Sequence, residues 1–244
     1  MIAWGIVFHT LLFFAPKEHP LVVEALSLVG LPYVTGSLEN PKEDLVIRTD
    51  GFDCYTLVEH CVATVLSAQS QRPYAEVLER NRYRGGIRKG YGSRHHYFVG
   101  WAHEGMTQGW LQPVTHAKEK VWRKRIQFMS THRGAYPTFV PLREWTAIQQ
   151  VEQDLSRLDL RYIPKDSVEA DLTAIQSGDI LAFTSQLEGL DVNHEGIAYW
   201  KNNQLHLIHA SLEEKKVVIS QETLLTYLRR IKKHSGLMIF RLAS

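Results

Sequence analysis

The chain has little cysteine, little net charge and no long hydrophobic run. Its 244 residues include 2 cysteines, too few for a disulfide scaffold or a four-thiolate zinc site. The formal net charge is +2, so the overall electrostatic field of the protein is too weak to indicate a polyanionic partner. No stretch approaches the roughly 18 consecutive apolar residues of a transmembrane helix, and we therefore predict no integral membrane span.

Metal-binding patterns, repeats and linkers are also missing from the sequence. Neither H-E-x-x-H nor C-x-x-C occurs, which argues against a zinc site built from the many histidines. We expect no metal and no cofactor. Because no composition shift marks a boundary, a single domain over residues 1–244 is the simplest organisation.

The N-terminal segment 1–15 is almost wholly apolar and is followed by PKEH. It resembles the hydrophobic region of a signal peptide, although no Lys or Arg precedes it and no clear cleavage site follows. An N-terminal helix packed on the domain, up to about residue 18, is the alternative. We expect a cell-envelope or periplasmic protein if the segment is a signal, and a cytoplasmic protein otherwise.

Helical patterns precede strand patterns along the chain. Helices are predicted at 20–30, 54–67, 73–82, 144–158 and 222–231. Short β-rich runs follow in the last third, namely SGDILAF, NHEGIAYW, QLHLIHA, KKVVI and a strand near 237–242. This order predicts an α+β fold. Residues 83–145 are irregular and aromatic-rich, which is unusual unless they build the wall of a site.

The segment DGFDCYTLVEHCV predicts a cysteine at the start of a helix. Asp53 is a natural N-cap, so Cys54 falls in the first turn, where the helix macrodipole favours a thiolate. Cys54 is therefore a candidate nucleophile. Cys61 lies about 10 Å further along the helix, beyond the roughly 7 Å limit for a disulfide, and is interpreted as a packing residue.

A hairpin in the last third supplies a candidate base. Asn202 and Asn203 form a good type I′ turn, and the register that follows from this turn places Gly196 opposite His209. Alternation then puts His194 and His209 on one face as diagonal neighbours, and Gly196 leaves room for them to meet.

Together with Cys54, these two histidines form a set of nucleophile, base and orienting residue. The same alternation directs the side chain of Glu195 away from the catalytic face.

Six segments of the chain, in order, resemble those of the NlpC-type cell-wall cysteine peptidases, a papain-like superfamily. Within it, the chain is most similar to the N-acetylmuramoyl-L-alanine amidase-like family, from about Gly30 to the C-terminus. The resemblance implies a papain-like fold, with the nucleophile at a helix N-terminus packed on a C-terminal antiparallel sheet, and a substrate-specificity insertion at 83–170. The segments are GLPYVTGSLE, DCYTLVE, GSRHHYFVGW, IQSGDILAF, GLDVNHEGIAY and LIHAS.

The resemblance also implies an activity and the residues that perform it. Cys54 would be the nucleophile, His194 the general base and His209 the residue that orients His194. The reaction would be hydrolysis of the amide between the lactyl group of a muramyl or anhydromuramyl sugar and L-alanine in peptidoglycan fragments. Tyr33, at the position of the tyrosine that lies beside the active site in this superfamily, and Asp53 would bind substrate.

Further substrate contacts are expected from the SR-x-HY segment, where Arg94 would pair with a carboxylate of the stem peptide and His96 and Tyr97 would also bind substrate. The chain departs from the family pattern at a few positions that bear on substrate fit, namely Leu31, Tyr55, His95 and Glu195.

Two other functions fit parts of the sequence. Many superfamily members cut within the stem peptide, between D-glutamate and the diamino acid. Residues 80–94 hold six basic residues and no acidic one, as a phosphate-binding surface does. Because charge runs are usually solvated and the whole chain carries only +2, we predict no nucleic-acid partner. We expect a monomer.

Overall fold

The computed structural model describes residues 18–114 and 118–243, and their architecture is mixed α+β, as predicted. The apolar segment 1–15 lies outside the described residues. Seven α-helices are described within these ranges: α1 (Pro20–Ser27), α2 (Cys54–Ser70), α3 (Tyr74–Arg82), α4 (Phe98–Gln108), α5 (Phe128–Thr131), α6 (Leu142–Leu155) and α7 (Leu224–Arg230). Short 3-10 helices occupy Arg84–Gly86, Tyr91–Ser93, Arg133–Ala135 and Lys165–Ala174.

The described strands form one antiparallel sheet in the order β2-β3-β8-β4-β5-β6-β7, with β1 paired to β8. Its C-terminal half is built from neighbours in sequence, because short turns join β4 to β7. The strands are β1 (Leu111–Pro113), β2 (Lys120–Trp122), β3 (Leu160–Pro164), β4 (Ile180–Ser185), β5 (Val192–Lys201), β6 (Gln204–Ser211), β7 (Lys216–Ile219) and β8 (His234–Leu242).

The predicted hairpin and its register are confirmed. Asn202 and Asn203 both have positive φ, 51° and 61°, as a type I′ turn requires. Lys201 pairs with Gln204, and the ladder of β5 and β6 continues to Ile197 and Ile208. The pairing of these two strands therefore ends just before the histidines of the candidate site.

Each face of the sheet is covered by a different set of helices. Ile197 of β5 and Ile208 of β6 belong to the larger hydrophobic cluster, which also contains Leu57 of α2. Ala198 of β5 belongs to a second cluster with Leu228 of α7. Because side chains alternate along a strand, β5 presents His194 to the α7 face and Glu195 to the α2 face.

The region 83–145 is more ordered than its composition predicts. It contains α4, α5 and the start of α6, besides two short strands. The buried carboxyl of Asp191, on the loop before β5, accepts a hydrogen bond of 2.9 Å from the backbone N–H of Val99 in the first turn of α4. This contact fixes the N-terminus of α4 to the sheet beside the candidate site.

Candidate active site

Cys54 is the first residue of α2, and two local interactions fix its position. Asp53 caps the helix by accepting a 2.8 Å hydrogen bond from the backbone N–H of Thr56, whose hydroxyl accepts a 2.9 Å bond from the N–H of Asp53. The preceding residue, Phe52, is fully buried and donates its backbone N–H to Pro32. The loop cannot shift without breaking this reciprocal cap, so the partly buried Cys54 is held in place.

The surroundings of Cys54 favour the neutral thiol. Burial raises the pKa of the thiol, and the negative charges of Glu195 and Asp53 raise it further. Hydrogen bonds from the backbone N–H groups of Glu195 and Tyr55 act in the opposite direction but are the smaller effects. The expected thiolate of a first-turn cysteine is therefore not the resting form of Cys54.

The two predicted histidines are in direct contact. Nε2 of His194 lies 2.8 Å from Nδ1 of His209, and the rings meet edge to face at a centroid distance of 4.9 Å. Burial lowers the pKa of both, with a further contribution from the other positive groups nearby, and that of His209 falls to about 4. Both rings are therefore neutral near pH 7. With Nε2 of His194 bonded to His209, Nδ1 of His194 has no hydrogen-bond partner among the described residues.

Three aromatic side chains that the sequence did not single out surround this pair. Tyr227 of α7 packs against His194 and His209, with centroid distances of 5.7 and 5.2 Å. After burial, the charge of Cys54 is the main influence that raises the pKa of Tyr227, so α7 approaches the thiol as well. Phe183 and His234 also lie near the His194 ring, at centroid distances of 5.6 and 6.4 Å. No motif marks these residues in the sequence.

Cys54 and His194 face one cavity of about 260 Å³. The cavity lies between the N-terminus of α2, the loop before it, the segment before α4 and the start of β5. Its wall is rich in carboxyl groups. The lining residues of most interest are Glu39, Asp53, Tyr55, Arg94, His96, Phe98, Asp191 and Glu195.

Arg94 lines the cavity, but its guanidinium is already bound. Nη2 lies 2.8 Å from the carboxylate of Glu39, Nε lies 3.5 Å from that of Glu43, and Nη1 donates to the carbonyl of Leu38. Arg94 is 3% exposed. Two carboxylates of the protein itself therefore pair with this guanidinium, and the contact of Arg94 with a substrate carboxylate stays a prediction.

The other predicted substrate contacts divide between the cavity and the core. His96 lines the cavity, and its Nε2 lies 2.8 Å from the carbonyl of Tyr91. Tyr97 does not line it, because its ring is 2% exposed and its hydroxyl bonds to Glu152 and to the backbone N–H of Met129. Tyr97 therefore belongs to the core beside the cavity, and its contact with substrate stays a prediction.

Tyr33 is half-buried beside the nucleophile rather than on the cavity wall. It pairs with Phe52 through an isolated parallel bridge. Burial raises the pKa of its hydroxyl, and the charges of Cys54 and Asp53 raise it further, so the phenol keeps its proton and remains a hydrogen-bond donor.

Glu195 points toward the nucleophile, contrary to the prediction. Its side chain is on the opposite face of β5 from His194, as the alternation requires. However, α2 packs on that face and brings Cys54 beside it, so both side chains line the cavity. Both faces of β5 therefore contribute to the site at the end of the strand.

Neither a metal cluster nor a membrane-spanning helix is found in the described part of the chain. No group of three or more His, Cys, Asp or Glu side chains at 18–114 and 118–243 could hold a metal ion. In the same ranges, no helix has the length and apolar character needed to cross a bilayer.

Comparison with solved structures finds amidases of the same fold. An N-acetylmuramoyl-L-alanine amidase from Bacteroides uniformis ATCC 8492 is 37% identical, with a TM-score of 0.86, over 92% of this chain and 98% of that one. A structure described as a putative xylanase from Bacteroides fragilis is 36% identical, with a TM-score of 0.84, over 91% of this chain and 100% of the other. A Legionella pneumophila protein with 22% identity and a TM-score of 0.69 shares the fold over 92% of this chain and 88% of its own.

No curated protein matches the chain. The model of the AmiA-like family, described as N-acetylmuramoyl-L-alanine amidase-like, matches residues 25–237 and so includes every element of the candidate site. The chain belongs to this AmiA-like, N-acetylmuramoyl-L-alanine amidase-like family.

Proposed function

We propose that the protein is a cysteine amidase of the papain-like, NlpC-type superfamily. Its reaction is hydrolysis of the amide between the lactyl group of a muramyl or anhydromuramyl sugar and L-alanine in peptidoglycan fragments. The observation that carries the proposal is the shared cavity of Cys54 and His194, with His194 held by His209 at 2.8 Å. Family membership supplies the substrate class.

The first half of the reaction starts from a neutral thiol and a neutral imidazole. Sγ of Cys54 attacks the lactyl carbonyl carbon while its proton passes to the free Nδ1 of His194. His209 accepts the Nε2 hydrogen of His194, which fixes the tautomer and supports the imidazolium that forms. The imidazolium then returns the proton to the alanine nitrogen, the C–N bond breaks and a thioester remains on Cys54.

The second half releases the acid. Water attacks the thioester carbonyl as His194 takes a proton from it, the C–S bond breaks and the thiolate recovers its proton from His194. In both halves the carbonyl oxygen becomes an oxyanion. The backbone N–H of Cys54 at the start of α2 and the hydroxyl of Tyr33 are the proposed donors to this oxygen.

The acidity of the site favours this order of proton transfer. Burial and the negative charge of Asp53 disfavour a resting thiolate at Cys54. A thiol that loses its proton during the attack carries negative charge only while the new C–S bond forms. Burial keeps His194 neutral and therefore ready to accept the proton. Cys54 and His194 therefore need not form a thiolate–imidazolium ion pair before substrate binds.

Product mass from a defined muropeptide tests the reaction. The amidase releases the muramyl sugar together with an intact stem peptide beginning at L-alanine. A peptidase that cuts between D-glutamate and the diamino acid instead leaves a sugar-linked dipeptide. Products of the second kind alone would contradict the proposed bond specificity while leaving the cysteine chemistry in place.

We also propose that the protein is a monomer and that its location depends on whether segment 1–15 is a cleaved signal. N-terminal sequencing of the native protein separates a cleaved signal, with residence in the cell envelope or periplasm, from a retained segment and residence in the cytoplasm. Sedimentation of the purified protein at its single-chain mass of 28.0 kDa tests the oligomeric state.

A further inference from the structure

The side chain of Glu195 is buried within the wall of the Cys54 cavity. It is 4% exposed, and what it does expose belongs to the cavity of about 260 Å³. Its own backbone N–H is directed at the Cys54 thiol. This strand position therefore contributes both a main-chain donor and a carboxyl group within reach of the nucleophile.

The carboxyl of Glu195 lacks a partner in the described part of the chain. No hydrogen bond or ion pair reaches either of its oxygens there. Arg94, which lines the same cavity, is paired with Glu39 and Glu43 instead.

The charged groups that shift the pKa of Glu195 are all acidic. They are Asp53 at the N-terminus of α2, Glu59 within α2 and Asp191 on the loop before β5. Burial raises the pKa of Glu195 well above its ordinary range, and these three carboxyl groups raise it further. The protonated carboxyl group, with one O–H donor and free acceptor positions, is therefore favoured over the carboxylate.

The carboxyl group of Glu195 opens onto the cavity, where a bound ligand can supply the hydrogen bond that the described residues do not. We propose that Glu195 is a substrate-contacting residue whose carboxyl group hydrogen-bonds to an uncharged polar group of the substrate, an amide or a hydroxyl next to the scissile bond. This inference rests on the proposed function and extends it to specificity. The contact excludes substrates with an apolar group at that point.

Binding of an uncleaved ligand tests the contact apart from chemistry. The protein is the full chain carrying Cys54→Ala, the ligand is muramyl dipeptide and the readout is Kd by calorimetry. Adding Glu195→Ala raises Kd by about 10- to 100-fold, because a hydrogen bond to a buried polar group is lost. Adding Glu195→Gln changes Kd by less than about 3-fold, since the amide is of equal size and also donates and accepts. The matched control is Glu188→Gln, an exposed carboxylate on the loop before β5, which leaves Kd unchanged.

Thermal unfolding separates substrate contact from a structural role. Glu195→Gln keeps the Tm of its parent, because an amide of the same size replaces a carboxyl group that no described residue binds. An unchanged Kd in Glu195→Ala would overturn the proposal, and so would a lowered Tm in Glu195→Gln. A loss in Glu195→Gln as large as in Glu195→Ala would also overturn it, because an amide that donates and accepts hydrogen bonds would then not replace the carboxyl group.

These outcomes are distinct from failure of the proposed function. If Cys54→Ala alone keeps wild-type turnover of the muropeptide, the cysteine mechanism is wrong, whatever the Glu195 variants do to Kd. If Cys54→Ala is inactive but Kd is indifferent to Glu195→Ala, the mechanism stands and the specificity contact is wrong.

Discussion

The substitution Gly196→Ala is expected to separate the two histidines without altering either. A Cβ at position 196 would lie 2.7 Å from the carbonyl oxygen of Ile208 and 3.0 Å from Cβ of His209, whereas ordinary contacts begin at 3.4 Å. Because the closest atom belongs to the backbone of β6, relief requires that strand to retreat by roughly 0.7 Å. The bond between His194 and His209, now 2.8 Å, would then stretch to the limit of hydrogen bonding.

The size of the effect follows from this displacement. A misplacement of about 1 Å in a catalytic group costs on the order of 100-fold, so kcat/KM should fall about 10- to 100-fold. Overpacking of this kind costs about 1–3 kcal/mol in the free energy of unfolding. For a chain of this size, Tm should fall by about 2–4 °C for each kcal/mol.

Steady-state hydrolysis of a defined muropeptide and thermal unfolding measure the two effects. Gly134→Ala is the matched control, because nothing lies within 4 Å of a Cβ at that position and its φ is not positive. Wild-type kcat/KM and Tm in Gly196→Ala would refute the claim that the close approach of β5 and β6 aligns the histidine pair.

Two further predictions follow from the buried charges. The acid limb of the kcat/KM profile of the wild type should lie below pH 6.5, because burial lowers the pKa of His194 well below that ordinary histidine value and the pKa of His209 to about 4, so that the base stays neutral. An acid limb at or above 6.5 would contradict this. Arg82→Leu should lower the free energy of unfolding, measured in urea, by about 3–5 kcal/mol, because the carboxylate of Glu59, which is 1% exposed, loses its guanidinium partner. Replacing both residues by Leu should recover most of that loss. A double variant as unstable as Arg82→Leu would contradict this explanation.

The local chemistry of the site could be predicted from sequence because it depends on near neighbours. Asp53 caps α2 through Thr56, three residues away, and so places Cys54 in the first turn. Likewise, a two-residue turn fixes the register of β5 and β6, and with it the meeting of His194 and His209. Short-range rules of helix capping and hairpin turns determine these arrangements.

Contacts between distant segments could not be predicted in this way. Alternation correctly placed Glu195 on the face opposite His194, but only the packing of α2 on that face reveals that the nucleophile lies there too. Arg94 is neutralised by carboxylates 55 and about 51 positions away, which no spacing rule anticipates. Tyr227 reaches the histidines from a helix that carries no catalytic motif.

Helix α4 was missed for a different reason. Its sequence contains Gly100 and Gly105, which lower helix propensity. The structure explains the second glycine, since a Cβ there would lie 2.6 Å from the Trp110 ring. Packing against Trp110 therefore requires glycine at this position, whereas helix propensity alone would predict that the same residue interrupts the helix.

The central claim, that Cys54 is the nucleophile, is tested most directly by comparing two cysteine substitutions. Cys54→Ala and Cys61→Ala are incubated with a defined muropeptide, and the release of the stem peptide is followed by mass. Cys61 is fully buried in the core, so Cys61→Ala should keep turnover close to that of the wild type. Cys54→Ala should bind the muropeptide and release no stem peptide, and wild-type release by that variant would contradict the account.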